Sequence, residues 1–193
     1  MCGICGKVSL KSETISPDLI ARMMASLAHR GPDDEGSFVE SAGTKGDSKI
    51  TVGLGHKRLS IIDLSPDGRQ PLTNEDESLW LVFNGEIYNH PVLRQDLMAR
   101  GHLFRSQTDS EVILHLYEEK GINAIQDFNG MFAFALWDAA KQKLYLCRDR
   151  LGIKPLVYSQ NDSSLIFASE IQALLQDESA RLRQTAGISG CGG

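Results

Sequence analysis

Apolar residues recur along this chain with two different periods, and each change of period marks a new element. Residues 1–10 alternate small and apolar side chains, Ile4, Gly6, Val8 and Leu10, which is the period of a buried strand. The spacing then becomes helical. Ser16 is placed as an N-cap and Pro17 as the first helical residue, and Ile20, Met23, Met24 and Leu27 form one apolar stripe that Gly31-Pro32 brings to an end. Segments 36–40 and 50–56 read as strands on either side of a polar loop, Ser41 to Lys49. Leu79–Phe83 is a buried strand that the pattern ends at Asn84-Gly85, a strong hairpin signal.

Asn89 and Pro91 open a second helix, with Val92, Leu93 and Leu97 turned inward and Gly101 at its end. A third helix is announced by a capping box, Thr108-x-x-Glu111, carries Val112, Ile113, Leu116 and Tyr117 on one face, and closes at Gly121. From Met131 the period returns to two. Met131–Trp137, Leu144–Cys147, Leu156–Tyr158 and Leu165–Ala168 read as an antiparallel meander, with turns at 138–140 and 161–163. Several of these strands are apolar on both faces and need cover on each side. The expected fold is therefore α+β, stacked sheets with helices outside. Residues 1–175 form one domain, and 176–193, which lack sustained periodicity, read as a linker or truncated tail.

Composition narrows the class. The 193 residues hold 25 acidic and 20 basic side chains, a net charge of −5, and the basic ones are scattered, so a nucleic-acid partner is excluded. No apolar run approaches the ~20 residues of a membrane span, and the N-terminus lacks the pattern of a secretory signal. Four cysteines (Cys2, Cys5, Cys147 and Cys191) without such a signal fit free thiols in a reducing, cytoplasmic compartment.

Cys2 is the first candidate for chemistry. Removal of Met1 would place its own α-amine beside its thiol, and an amine of pKa about 7.7–8.0 can accept the thiol proton near neutrality. By position alone, the plainer account is a small residue buried in a strand. Cys2-Gly-Ile-Cys5 is also a C-x-x-C, but no second such pair follows and the five histidines (His29, His56, His90, His102 and His115) are dispersed. No metal is expected, and Cys5 reads as core.

The remaining polar motifs occur in one order: His29-Arg-Gly-Pro-Asp33, Arg58-Leu-Ser-Ile-Ile-Asp63, Gln70-Pro-Leu72, Asn84-Gly-Glu-Ile-Tyr-Asn89, Thr108-Asp-Ser-Glu111, Gly130-Met-Phe-Ala-Phe134, Arg148-Asp-Arg-Leu-Gly-Ile-Lys-Pro155 and Ala168-Ser-Glu170. With Met1-Cys-Gly-Ile4 they resemble the class II glutamine amidotransferase domain, in its asparagine-synthetase-like branch, over about residues 1–175.

The resemblance implies an N-terminal-nucleophile fold, two antiparallel sheets between helical layers. It implies that Cys2 attacks the carboxamide of L-glutamine, giving a thioester, ammonia and then glutamate. Asn84 and the Gly85 N–H would form the oxyanion hole. Arg58 would hold the α-carboxylate, Asp109 and Glu86 would meet the α-ammonium, Ile61 and Ile62 would supply backbone contacts, and Arg30 would steady the N-terminus. The partner implied is a synthetase domain or subunit that accepts the ammonia, and a homodimer is compatible. ATP and Mg²⁺ would belong to that synthetase domain, and no cofactor is expected for this one. Its pyrophosphate loop is absent here, Ser189-Gly-Cys-Gly-Gly193 being only a superficial echo. The competing expectation is a non-catalytic glutamine-binding or interaction module of the same fold.

Overall fold

The computed structural model of the chain describes residues 1–11, 13–40, 50–60, 63 and 65–181. Among the described residues, nine strands and five α-helices follow one another as β1 (Gly3–Ser9), α1 (Pro17–Ser26), β2 (Asp34–Val39), β3 (Thr51–Arg58), β4 (Leu72–Thr73), β5 (Leu79–Ile87), α2 (His90–Ala99), α3 (Glu111–Lys120), β6 (Gly130–Asp138), β7 (Lys143–Arg148), β8 (Val157–Gln160), β9 (Ser164–Ala168), α4 (Ile171–Leu174) and α5 (Glu178–Arg181). The strands make two sheets, ordered β2-β3-β1-β9-β8 and β4-β5-β6-β7. Every pairing is antiparallel.

Three apolar layers hold them together, and each follows from the period of two. Between the sheets lie Ile4, Val8, Val52 and Leu54 of the first and Val82, Ala133, Ala135 and Trp137 of the second. The other face of the first sheet packs Cys5, Ile166 and Ala168 under Ile20, Met23, Met24 and Leu27 of the α1 segment, with Ala173 and Leu174 of α4 beside them. The other face of the second sheet packs Phe83, Phe132 and Phe134 under Val112, Ile113, Leu116 and Tyr117 of α3. The order helix, sheet, sheet, helix is the architecture expected from the sequence. A glycine sets the spacing of the first layer: a Cβ at Gly55 would lie 2.7 Å from Met24 Cγ and 2.9 Å from Cys5 Sγ, so α1 can settle this close only over a bare backbone.

Helix α1 keeps its expected start, with the Ser16 hydroxyl accepting from Asp18 N. It ends at Ser26, before Gly31-Pro32, and a 3₁₀ turn over Ala28–Arg30 fills the gap.

Five expectations need correction. Asn84-Gly85 is not a hairpin: β5 runs through it to Ile87, and Asn84 and Gly85 pair with Ala133 and Phe132 of β6. The glycine answers a close approach instead, since a Cβ there would stand 2.6 Å from Phe132 Cα. Val92 is 70% exposed, because only Leu97 and, partly, Leu93 of α2 reach the core. The capping box does not form. Thr108 spends its hydroxyl on those of Ser106 and Ser110, α3 starts at Glu111, and the Glu111 carboxylate accepts from the N–H groups of Arg105 and Ser106. The late strands are not one meander. β6 and β7 belong to one sheet and β8 and β9 to the other, so the segment between Arg148 and Val157 crosses between layers. Asp149 shapes that crossing by accepting from the N–H groups of Phe132, Leu151, Ile153 and Lys154. Lastly, the stretch after Leu175 begins with structure: α5 forms, and Asp177 meets Lys7 Nζ of β1 at 2.6 Å.

Candidate active site

One end of the two-sheet sandwich opens into a cavity of about 120 Å³. Its lining includes Met1, Cys2, Arg58, Asp63, Gln70, Asn84, Gly85, Glu86, Thr108, Asp109, Ser110 and Lys154. Cys2, Asn84, Gly85, Arg58, Glu86 and Asp109, singled out from sequence, therefore share one pocket. Ile61 and Ile62 lie outside the described residues.

Strand β5 supplies the donors, and its register decides which. Phe132 exchanges no backbone bond with β5, because its N–H donates to the Asp149 carboxylate and its carbonyl accepts from Asp149 N on the β7 side. Gly85, opposite Phe132, is thus a non-hydrogen-bonded position whose own N–H points to the other edge of β5. The same parity turns the N–H groups of Phe83 and Ile87 to that edge. Gln70 Oε1 takes the first at 2.6 Å and Asp109 Oδ2 the second at 2.7 Å. Strand β4 covers the edge only opposite Leu81 and Trp80. The Gly85 N–H, between the two capped ones, faces the pocket.

Asn84 stands on the opposite face of β5 from Phe83, the face that Val82 turns to the first sheet. It is 1% exposed, and neither its amide nitrogen nor its amide oxygen has a hydrogen-bond partner. A buried amide without partners costs about 1–3 kcal/mol, so a polar group brought beside it would be strongly favoured.

Cys2 immediately precedes β1, half-buried, with Sγ 3.4 Å from Leu59 N and 3.7 Å from Leu59 O. Its carbonyl accepts from Arg30 Nε at 2.9 Å, and Arg30 Nη1 in turn meets Glu170 Oε1 at 2.8 Å. The bond from Arg30, reinforced by His29, holds the Glu170 carboxyl down to about 2. The expected steadying of the N-terminus by Arg30 is thus a direct bond to the nucleophile candidate's own backbone.

Burial pushes the Cys2 thiol up, so at neutral pH it rests protonated and needs a base. No histidine lines the pocket among the described residues. His56, fully buried, meets Phe83 O at 3.1 Å, and burial lowers it to about 4. Asp109, raised by burial, is engaged with Ile87 N.

Arg58, at the end of β3, is 7% exposed and donates to the carbonyl oxygens of Ser65 (3.0 Å) and Asp63. These are its hydrogen bonds among the described residues, and the side chain also lines the pocket. Asp63 accepts from Ser65 N and Gln107 N, tying the segment after Arg58 to the one before Asp109.

The sequence reading assigned no role to Gln70, Asp63 or Lys154, although all three fall inside the motifs that carried the resemblance. All three are buried polar residues, and Lys154 Nζ lies 3.4 Å from Met1 Sδ in the pocket. Their place inside those motifs, rather than any local pattern, was the signal available.

Residues 1–187 match the family model described as a glutamine amidotransferase domain. Among curated relatives, asparagine synthetase [glutamine-hydrolyzing] 2 of Bacillus subtilis (strain 168) is 44% identical over 177 residues, covering 90% of this chain and 22% of that protein. Putative asparagine synthetase [glutamine-hydrolyzing] 2 of Methanocaldococcus jannaschii is 38% identical over 189 residues, covering 91% of this chain and 35% of that protein. The chain thus spans between about a fifth and a third of the length of these relatives. Glutamine phosphoribosylpyrophosphate amidotransferase from B. subtilis, solved with ADP and GMP, superposes with a TM-score of 0.72 at 23% identity over 90% of this chain and 43% of that one. That likeness establishes the fold, the two-sheet sandwich of N-terminal-nucleophile amidotransferases. With a family model covering nearly its whole length, this chain belongs to the glutamine amidotransferase domain family.

Proposed function

We propose that the chain hydrolyses L-glutamine to L-glutamate and ammonia through a thioester on Cys2. The observation that carries this is Asn84: a buried amide with both polar atoms empty, in the same cavity as the Cys2 sulfur. With Met1 removed, the α-amine of Cys2 takes the thiol proton while sulfur bonds to the glutamine carboxamide carbon. Negative charge collects on the carboxamide oxygen, where the Asn84 amide and the Gly85 N–H receive it. The C–N bond then breaks and ammonia leaves with the proton returned by the amine. Water attacks the thioester, and glutamate departs. Arg58 holds the α-carboxylate, and Asp109 and Glu86 the α-ammonium, with Ile61 and Ile62 as backbone contacts.

The ammonia passes to a synthetase domain or subunit, where ATP and Mg²⁺ activate a carboxylate, aspartate or another. Residues 1–175 are the glutaminase domain in this reading, and 176–193 lead towards that partner. The setting is cytoplasmic: Cys2, Cys5 and Cys147 are free thiols, and no described helix is long and apolar enough to cross a membrane.

Incubating the purified chain with glutamine, aspartate and Mg-ATP tests the proposal. Glutamate should appear slowly, with or without ATP, and no asparagine should form. Asparagine formation would reveal a synthetase site within these residues. No glutamate from a Met1-free preparation would favour a non-catalytic glutamine-binding module.

Arg58 gives a finer test. Arg58→Lys should raise KM for glutamine, with a loss of about 1.5–3 kcal/mol, because a point charge replaces a fork that also holds the Asp63 and Ser65 carbonyls. An unchanged KM with a collapsed kcat would move Arg58 from anchor to chemistry.

A further inference from the structure

Scattered in sequence, His102 and His115 meet in space, and Glu118 joins them. His102 follows Gly101, whose φ of +100° turns the chain back after α2, and its N–H bonds Leu97 O at 3.1 Å. His115 and Glu118 stand three residues apart on one face of α3.

Three atoms converge. His102 Nδ1 and His115 Nδ1 lie 3.2 Å apart, His115 Nδ1 and Glu118 Oε2 also 3.2 Å, and His102 Nδ1 and Glu118 Oε2 3.5 Å. Ligands about 2.0–2.1 Å from a tetrahedral zinc stand about 3.3–3.4 Å from one another. The triangle has the edges of one face of such a tetrahedron.

A carboxylate also lies beyond the far side of each ring. His102 Nε2 meets Glu119 Oε1 at 3.0 Å, and His115 Nε2, which has no hydrogen-bond partner, faces Glu111 Oε1 at 3.8 Å. The bonded carboxylate on His102 Nε2 favours the proton there and leaves a lone pair on its Nδ1. His115 has carboxylates at both nitrogens, and a metal at Nδ1 would shift its proton to the Nε2 that Glu111 faces. Glu118 is steadied as well, because its Oε1 accepts from Asn74 Nδ2 at 2.9 Å and Oε2 stays turned to the imidazoles. With the His115 proton on Nε2 as well, two nitrogen lone pairs and a carboxylate oxygen converge on one point. Histidines backed by carboxylates are the usual outer support of a metal ligand set.

We infer that His102 Nδ1, His115 Nδ1 and Glu118 Oε2 form a binding site for a divalent transition metal, zinc by the nitrogen and oxygen donor set. None of the three lines the catalytic cavity. Side-chain exposures of 16% at His102 and 28% at Glu118 leave the fourth position open to water. A metal there would staple the turn after α2 to the middle of α3, and so brace the segment 103–110 that ends at Asp109 and Ser110.

Zinc is titrated into the purified chain carrying Cys2→Ala, which removes the pocket thiol as a competitor. One zinc per chain should bind. His102→Ala and Glu118→Gln should each weaken binding by roughly tenfold or more, the scale of losing a metal-site partner. Both positions are partly exposed, and a melt in chelator should show the fold retained. Cobalt should give the visible spectrum of a tetrahedral nitrogen and oxygen site without a thiolate charge-transfer band. Zinc affinity unchanged by both variants, a thiolate band, or no saturable binding below millimolar zinc would each overturn the site and leave a hydrogen-bonded cluster.

Discussion

Cys2→Ala is expected to abolish glutamine hydrolysis while the domain stays folded. The sulfur is the nucleophile of the proposed reaction, and the pocket hydroxyls of Thr108 and Ser110 are engaged with one another. Removing such a group from a cooperating set commonly costs about 10⁴-fold or more in kcat. The structural loss is small. The thiol is half-buried and makes only long contacts with Leu59, at 3.4 and 3.7 Å, whereas the backbone is held by the Arg30 bond to the Cys2 carbonyl, which alanine keeps. Melting temperature and glutamate release, measured on one preparation, separate the two effects. Glutamate still released by the variant would take Cys2 out of the mechanism. Lost activity together with a collapsed melt would show the thiol to be structural.

Blocking the N-terminus should be as severe. Burial raises the Cys2 thiol, no histidine lines the pocket among the described residues, and Asp109 is committed to Ile87 N; the proposed base is the cysteine's own amine. With Met1 in place that amine belongs to a different residue, and Met1 lines the cavity with its sulfur 3.4 Å from Lys154 Nζ. Retained Met1, or acetylation of a freed Cys2, should therefore eliminate turnover although the thiol remains intact. Intact-mass measurement beside the assay decides the matter. A preparation that is fully active and fully Met1-bearing is incompatible with the amine as base.

Much of this was legible beforehand, because period and motif are local. The α1 stripe, the apolar strands on both sides of each sheet and the helix–sheet–sheet–helix order all follow from positions a few residues apart. Six of the eight proposed site residues proved to share one cavity. What was not legible depended on long-range pairing. Asn84-Gly85 carries the strongest local turn signal in the chain, yet a nine-residue ladder with β6 outweighs it. Thr108 had the residues of a cap, but neighbouring hydroxyls took its oxygen. Gln70 and Lys154 had no local pattern at all, since each serves a partner far away in sequence. The histidines looked scattered for the same reason: thirteen positions separate His102 from His115, and only the return after Gly101 closes the distance.

The pairing of β5 with β6 acts as a ruler for the chemistry. Side chains and N–H groups on a strand alternate strictly, so one register places the Asn84 amide between the sheets and the Gly85 N–H at the free edge together. Sliding β5 by a single residue would reverse both at once. The amide would turn towards α3, the glycine's N–H would be consumed by the neighbouring strand, and a carbonyl-poor, donor-poor pocket would remain beside Cys2. Large aromatic residues therefore guard more than stability here. Phe83 under α3 and Trp137 between the sheets fit only their own layers, and each resists the slip that would silence the site without unfolding it.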